Sequence, residues 1–198
     1  MNISSIILAG GRATRMGGAD KGLVKLQQKL LIEHVINRLI LQVDEIIINA
    51  NRGLAQYSEL GYPVIQDEMA GFVGPLAGIA LGLAHAKHEY VLVVPCDSPL
   101  LPLDLAARLF KSLQVSNADI AVATSDGNAH PVFCLCKKNT LPSLNNYMHQ
   151  DGRKVSAWQK SQHYVEVDFS DNAADFINLN TLEDVSDLEN LIALENIN

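Results

Sequence analysis

The sequence is short of cysteine, with three in 198 residues, where a disulfide scaffold would need more in a shorter chain. It is also short of charge, 19% against 48% apolar residues. Disorder demands the opposite balance and is excluded as well. No apolar stretch approaches the ~20 residues that span a bilayer. The strongest one, Tyr90 to Pro95, is strand-sized. Met1-Asn2-Ile3 carries no basic segment ahead of its apolar residues, so no secretory signal is expected and the cytoplasm is the expected location. Basic residues are outnumbered, 15 Lys and Arg against 22 Asp and Glu, for a formal charge of −7. That balance argues against nucleic acid or an anionic membrane as partner. No repeat, low-complexity segment or linker interrupts the chain, and a single domain over 1–198 is expected.

The few cations that occur are concentrated. Arg12, Arg15, Lys21 and Lys25 share one window with a single acid, Asp20, a local positive patch suited to a small anionic ligand. Cys96, Cys134 and Cys136 contain no CxxC pair, and zinc would want four ligands at recognisable spacings. Cys134-x-Cys136 lies in an alternating apolar run, which predicts two small buried groups on one strand face.

Short β-branched runs alternate with longer helical patterns. Ile6 to Ala9, Glu45 to Asn49, Val64 to Gln66 and Tyr90 to Pro95 read as strands. Leu30 to Val43 carries apolar residues at 31, 32, 35, 36, 39, 40 and 43, the period of an amphipathic helix. Gly74 to Ala86 and Leu103 to Leu113 repeat that role. Continuously apolar strands separated by helices predict a parallel sheet covered on both faces. Beyond residue 117, Ile120 to Ala123 and Val132 to Cys136 flank the turn Ser125-Asp126-Gly127-Asn128 and predict an antiparallel excursion. His163 to Val167 predicts a further strand, and Thr181-Leu182-Glu183-Asp184 a capping box that opens a last helix through Leu194. The fold class is α/β with a mostly parallel central sheet, and a functional cleft is expected at the carboxyl edge of its strands.

The first strand runs into Leu8-Ala9-Gly10-Gly11 and a glycine-rich, cation-rich loop ending at Asp20-Lys21-Gly22. Glycine lets backbone N–H groups approach a ligand without Cβ obstruction, and with two arginines and a lysine this describes an anion cradle for phosphates. GxGxxG is absent, and Gly22 after Lys21 departs from the Gly-Lys-Ser/Thr of a Walker A loop. Asp97 follows the strand Tyr90 to Pro95 and places a carboxylate at the sheet edge, where Mg²⁺ would find one ligand and take the rest from phosphate and water. Helix capping fits Asp97 poorly, because Asp104 already occupies the first turn of the next helix. Asn49 and Asp67 end the second and third strands. A carboxylate there matches the N1–H and N2–H₂ donors of guanine; by spacing alone an exposed loop acid beside Glu68 fits equally well.

Gly71, Gly74 and Gly78 with Pro75 open the next helix, either to let a ring lie against backbone or as turn and packing glycines. His130-Pro131 is read as a structured turn without chemistry, and Trp158 as core. Arg153 and Lys154 are two cations beside it that would border a second anion. Asn178 and Asn180 share one face of an extended segment. They suit a heteroaromatic ring rich in donors and acceptors, or simply cap a turn before Thr181.

The set Leu8-Ala9-Gly10-Gly11, Arg15-Met16-Gly17 and Asp20-Lys21 after a first strand resembles the nucleotidyltransferases of molybdenum cofactor biosynthesis, in particular the family that builds molybdopterin guanine dinucleotide. Asn49-Ala50-Asn51-Arg52, Gly71-x-x-Gly74-Pro75-Leu76-Ala77-Gly78, Pro95-Cys96-Asp97-Ser98-Pro99, His130-Pro131 and Asn178-x-Asn180-Thr181 follow in the family's order over nearly the whole chain. Leu182 stands where the family's last motif often has proline, a change without chemical consequence.

The resemblance implies a Rossmann-like three-layer nucleotidyltransferase fold, with residues up to about 115 binding nucleotide and 116–198 binding the acceptor. It implies transfer of GMP from GTP to the terminal phosphate of molybdopterin or its molybdenum-loaded form, with release of pyrophosphate. The residues expected to act are Arg15, Lys21 and Asp97. Those expected to hold nucleotide are Leu8, Ala9, Gly10, Gly11, Lys21, Asn49, Asp67, Gly78 and Asp97, with Mg²⁺ on Asp97. Arg153, Lys154, Asn178 and Asn180 are expected at the acceptor, and proteins that hand the cofactor over are plausible partners. The competing expectations are a sister enzyme using CTP or another nucleotide, or a sugar or isoprenoid phosphate acceptor, and a binding module (GTP sensor or cofactor carrier) without turnover.

Overall fold

The computed structural model describes residues 2–10, 20–67 and 74–195. Seven strands form one sheet: β1 (Ile3–Leu8), β4 (Glu45–Asn49), β5 (Val64–Ile65), β6 (Tyr90–Pro95), β7 (Ile120–Ser125), β8 (Asn128–Lys137) and β9 (Tyr164–Asp168). Their spatial order is β5-β4-β1-β6-β8-β7-β9, and β2 (Lys25–Leu26) pairs with β3 (Lys29–Leu30) in a separate hairpin. Strand β1 runs parallel to β4 on one side and to β6 on the other, with Leu8 opposite both Asn49 and Pro95. Since β5 places Ile65 opposite Asn49, the carboxyl ends of four parallel strands finish level. The chain passes from β1 to β4 and β5 on one side and then crosses back to β6 on the other side of β1, so the carboxyl end of β1 lies at a topological switch point, where α/β sheets open a crevice.

The helices cover both faces. Helices α1 (Leu31–Leu39), α2 (Leu54–Ser58) and α4 (Leu105–Val115) bury Ile32, Val35, Tyr57 and Leu109 against Ile7, Ile48, Leu92 and Val94. On the other face α3 (Pro75–His85), α5 (Leu141–His149) and α6 (Val155–Lys160) bury Ile79, Leu83, Leu144 and Trp158 against Ile6, Ile47, Val91 and Val93. Successive strand residues point to opposite faces, and both faces are dry, which is why these strands are apolar without interruption. Gly82 lets α3 come close to β1: a Cβ there would stand 2.7 Å from Ile6 Cγ2. All three cysteines are buried and free, with the Cys134 and Cys136 sulfurs 3.7 Å apart on one face of β8. Trp158 is wholly buried.

Several boundaries differ from the sequence pattern for physical reasons. The apolar period of α1 extends to Val43, yet the helix ends at Leu39. Gln42 donates to the Arg38 carbonyl and accepts from the Ala106 N–H, which turns the chain into β4 and leaves Leu41 exposed. The antiparallel strand β8 is ten residues long and lies inside the sheet, between β6 and β7. Its turn uses Asp126 and Gly127, both at positive φ, the arrangement whose twist matches a two-residue hairpin. The β2–β3 hairpin turns on Gln27 and Gln28 at φ 48° and 69°, without the glycine that would announce it. Helices α5 and α6 are too short for their apolar spacing to stand out.

The last helix, α7 (Leu182–Glu195), returns to the amino-terminal half. Val185 and Leu188 pack with Leu179 onto Val24, Leu26 and Leu31. Its start is the expected box: Asp184 N–H donates to Thr181 Oγ1, and the Asp184 carboxylate accepts from the Asn180 and Thr181 N–H groups. These backbone bonds hold the Asp184 carboxyl below the usual carboxylate range. Thr181→Ala should lower unfolding free energy in urea by about 1 kcal/mol, the usual value of such a cap; an unchanged midpoint would mean the box does not anchor α7.

Candidate active site

The level strand ends gather two groups of polar side chains around Gly10. At the end of β6, Cys96 N–H still bonds the Leu8 carbonyl, so Asp97 is the first residue free of the sheet. Its Oδ2 lies 3.0 Å from Lys21 Nζ, with side-chain exposures of 23% for the lysine and 11% for the acid. The same Nζ donates to Asn180 Oδ1 at 2.6 Å. The Asp97 carbonyl accepts the Leu179 N–H, and Ser98 Oγ bonds Asn178 Oδ1. The amide oxygens of Asn178 and Asn180 are thus both engaged by the protein, which ties segment 178–180 to the edge of β6.

The second group closes the ends of β4 and β5. Asn49 Nδ2 donates to Asp67 Oδ1 at 2.9 Å, and Asn51 Nδ2 to Asp67 Oδ2 at 2.7 Å. Asn49 is buried and Asp67 half-buried. Gly78 gives Asn49 its room: a Cβ there would collide with Asn49 Oδ1 and Leu8 Cδ2. Ala9 spends its N–H on the Asn49 carbonyl, so Gly10 is the first residue after β1 that is free of the ladder. A cavity of about 250 Å³ runs from Asp67 between α3 and α5, walled by Ala77, Ala80, Leu81, Ala84 and Leu141.

The residues on either side of Lys21 are tied to the buried Tyr57, which has no sequence signal of its own. Asp20 Oδ1 accepts the buried Tyr57 hydroxyl at 2.6 Å, and Gly22 sits so close beneath that a Cβ would lie 2.6 Å from Tyr57 Oη and 3.3 Å from Cys96 Sγ. Burial raises the Asp20 carboxyl above the usual range, against the lowering effects of Tyr57, the Gly22 N–H and Arg52. Burial also pushes up the Cys96 thiol, with the negative charges of Asp97 and Asp20 adding to it. That keeps the sulfur a neutral packing group.

Arg153 and Lys154 arrive separately, between α5 and α6: Arg153 pairs with Asp151 at 2.8 Å, and the Lys154 carbonyl accepts Tyr147 Oη. Arg12, Gly11, Arg15 and Gly71 lie outside the described residues. Among the described residues no three His, Cys, Asp or Glu side chains form a metal cluster. On the β6 side of the crevice stands the carboxylate of Asp97, a donor that fits a Mg²⁺ brought in with phosphate oxygens and water.

The model of the MobA-like NTP transferase domain matches residues 5–166, which takes in Lys21, Asn49, Asp67 and Asp97. The chain belongs to the MobA-like NTP transferase family. It is 46% identical over 193 residues to a molybdenum cofactor guanylyltransferase of Shewanella woodyi, covering 98% of each chain. It is 43% identical over 198 residues to the same-named protein of Shewanella piezotolerans, covering 100% of this chain and 97% of the relative. A solved structure of molybdopterin-guanine dinucleotide biosynthesis protein A from Archaeoglobus fulgidus superposes with a TM-score of 0.78 at 23% identity, over 98% of this chain and 99% of that one. That likeness establishes the nucleotidyltransferase fold. The protein is therefore a nucleotidyltransferase, and among its described residues no helix is long and apolar enough to cross a membrane.

In this transferase Tyr57→Phe removes the hydroxyl bonded to Asp20 and should cost about 1.5–3 kcal/mol, the range for a bond to a charged group. The folded state holds the Asp20 proton more tightly than the unfolded state, so this group costs stability at neutral pH. That cost fades as pH falls through the raised pKa toward 3.8. The gap between variant and wild type in urea denaturation should accordingly narrow from pH 7 to pH 4; a constant gap would show that Tyr57 acts through packing alone.

Proposed function

We propose that this enzyme transfers GMP from GTP to the terminal phosphate of molybdopterin, or of its molybdenum-loaded form, releasing pyrophosphate and forming the guanine dinucleotide. The observation that carries the reading is the Lys21–Asp97 pair at the switch point, joined there by Asn180 from the far end of the chain. Its support is family membership and the names of the Shewanella relatives. Residues up to about 115 would then hold nucleotide and 116–198 the acceptor.

The acceptor phosphate is a nucleophile at neutral pH, so its oxygen attacks the α-phosphorus directly and pyrophosphate leaves with the bonding electron pair. No general base is required. The obstacle is one anion approaching another, and the chain's task is positioning and neutralisation. Lys21 places a positive charge at the crevice, and its bond to Asp97 gives way to phosphate oxygens as substrate enters. Gly10 opens backbone approach beside it, with Gly11 and Arg15 assigned to the same cradle from the sequence. Asp97 would hold Mg²⁺, which when bound offsets charge on the phosphates. Asp67 would read guanine N1–H and N2–H₂, and the apolar wall of Ala77, Ala80 and Leu81 beside it suits the flat face of a base. Asn178, Asn180, Arg153 and Lys154 are assigned to the acceptor. Three free cysteines suit the reducing cytoplasm, where proteins that hand over the unstable pterin are natural partners.

Pyrophosphate release measured with Mg²⁺ and purified molybdopterin, comparing GTP, CTP, ATP and UTP, tests the reading. Release is expected with GTP alone and only when acceptor is present. Lys21→Ala and Asp97→Ala should each lower turnover on the order of 10²–10³-fold, by analogy with other preorganised charge-stabilising contacts, with folding intact by circular dichroism. Release with CTP would overturn the base assignment, near-normal turnover in either variant the mechanism, and nucleotide binding without any release the enzymatic reading as a whole.

A further inference from the structure

Asn51 has no part in the scheme above, yet it makes the most specific contact in the crevice. Its Nδ2 donates to Asp67 Oδ2 at 2.7 Å while its Oδ1 accepts the Asp67 backbone N–H at 2.9 Å. The two bonds close a ring between one amide and both ends of one residue. From the other side Asn49 Nδ2 reaches Asp67 Oδ1 at 2.9 Å and the Ile65 carbonyl at 3.3 Å. Each carboxylate oxygen therefore has one amide donor from the protein. A carboxylate oxygen accepts about two hydrogen bonds, so one acceptor site on each oxygen is left for a ligand.

The position of this clamp matters as much as its bonding. A Cβ at Gly10 would stand 3.1 Å from Asn51 Nδ2 and 3.5 Å from Asn49 Oδ1, so the clamp lies against the first residue of the phosphate-facing loop. Asn49 is 3% exposed and tied to strand backbone, which makes it a fixed part of the sheet. Asn51 is exposed and lies beyond the strand. A loop carboxylate free to rotate must be ordered by the ligand before both donors are met, which weakens the pairing. Held at its backbone and at both oxygens, it presents its two acceptors in one fixed orientation, which is what the adjacent N1–H and N2–H₂ donors of guanine require.

We infer that Asn51 is a specificity-determining positioning residue, acting through Asp67 to select a nucleobase that carries two adjacent donors. The inference rests on the assignment of Asp67 to the base. It predicts that selection for the 2-amino group is a property of the Asn51–Asp67 unit and that Asp67 alone is insufficient for it.

The test compares kcat/KM for GTP and for ITP, which keeps N1–H and lacks the 2-amino group. Asp67→Ala should bring the GTP:ITP ratio close to one. Asn51→Leu, similar in size and without hydrogen bonds, should lower the ratio roughly tenfold, the loss of about one bond to a charged partner, with the effect appearing chiefly in KM. Asn51→Ser, which keeps a polar surface at this exposed site, should behave alike and guards against a folding defect in the leucine variant. Added to Asp67→Ala, Asn51→Leu should change the ratio no further. If Asp67→Ala collapses the ratio while both Asn51 variants keep the wild-type value, the clamp is overturned and the base assignment stands. If Asp67→Ala itself keeps the wild-type ratio, the base assignment falls and the inference with it. An Asn51 variant that lowers activity with both nucleotides equally also overturns the clamp, since that is the signature of a structural tie.

Discussion

The ammonium group of Lys21 is where three distant stretches of the chain meet: its own turn after the first loop, Asp97 at the end of β6 and Asn180 before the last helix. Bringing a lysine partly out of water beside one carboxylate costs solvation that the Coulomb attraction returns only where the geometry is well held. The surroundings must therefore hold it. Asp20, bonded to Tyr57, anchors the turn from below. The Leu179 N–H on the Asp97 carbonyl anchors the tail from above.

Both anchors depend on the sheet. Leu8, Asn49 and Pro95 stand at one level because β4 and β6 flank β1 in matching parallel register. The polar residues that follow each strand are then delivered to a common edge, while the apolar residues before them stay in the two helix-covered layers. Polar chemistry at the rim costs the core nothing. Gly78 and Gly82 serve the same geometry: each lets α3 come within contact of β1 or Asn49 where a methyl group would intrude.

The site divides its work along the same edge. The β6 side offers the opposed charges of Lys21 and Asp97, suited to phosphates. The β4–β5 side offers a carboxylate held by two amides, suited to a ring with paired donors. Gly10 lies between them, so a nucleotide spanning the crevice would meet charge at one end and directional hydrogen bonds at the other.

The sheet is legible in the residue pattern, since strands buried on both faces must be continuously apolar, and β4 and β6 run over the residues that pattern marks out. The same pattern marks which residues stand at strand ends, because Asn49, Asp67 and Asp97 each close or follow such a run. The short helices α5 and α6, the glycine-free β2–β3 hairpin and the early end of α1 were decided by tertiary packing, which overrides weak local periodicity. So were the contacts that give the site its shape. Lys21 and Asn180 are separated by most of the chain, and Asp20 and Asn51, though part of the motifs, show no partner until Tyr57 and Asp67 are placed against them. Hydrogen bonds between distant loops leave no periodic trace in a sequence; only the fold, by bringing the strand ends level, decides who pairs with whom.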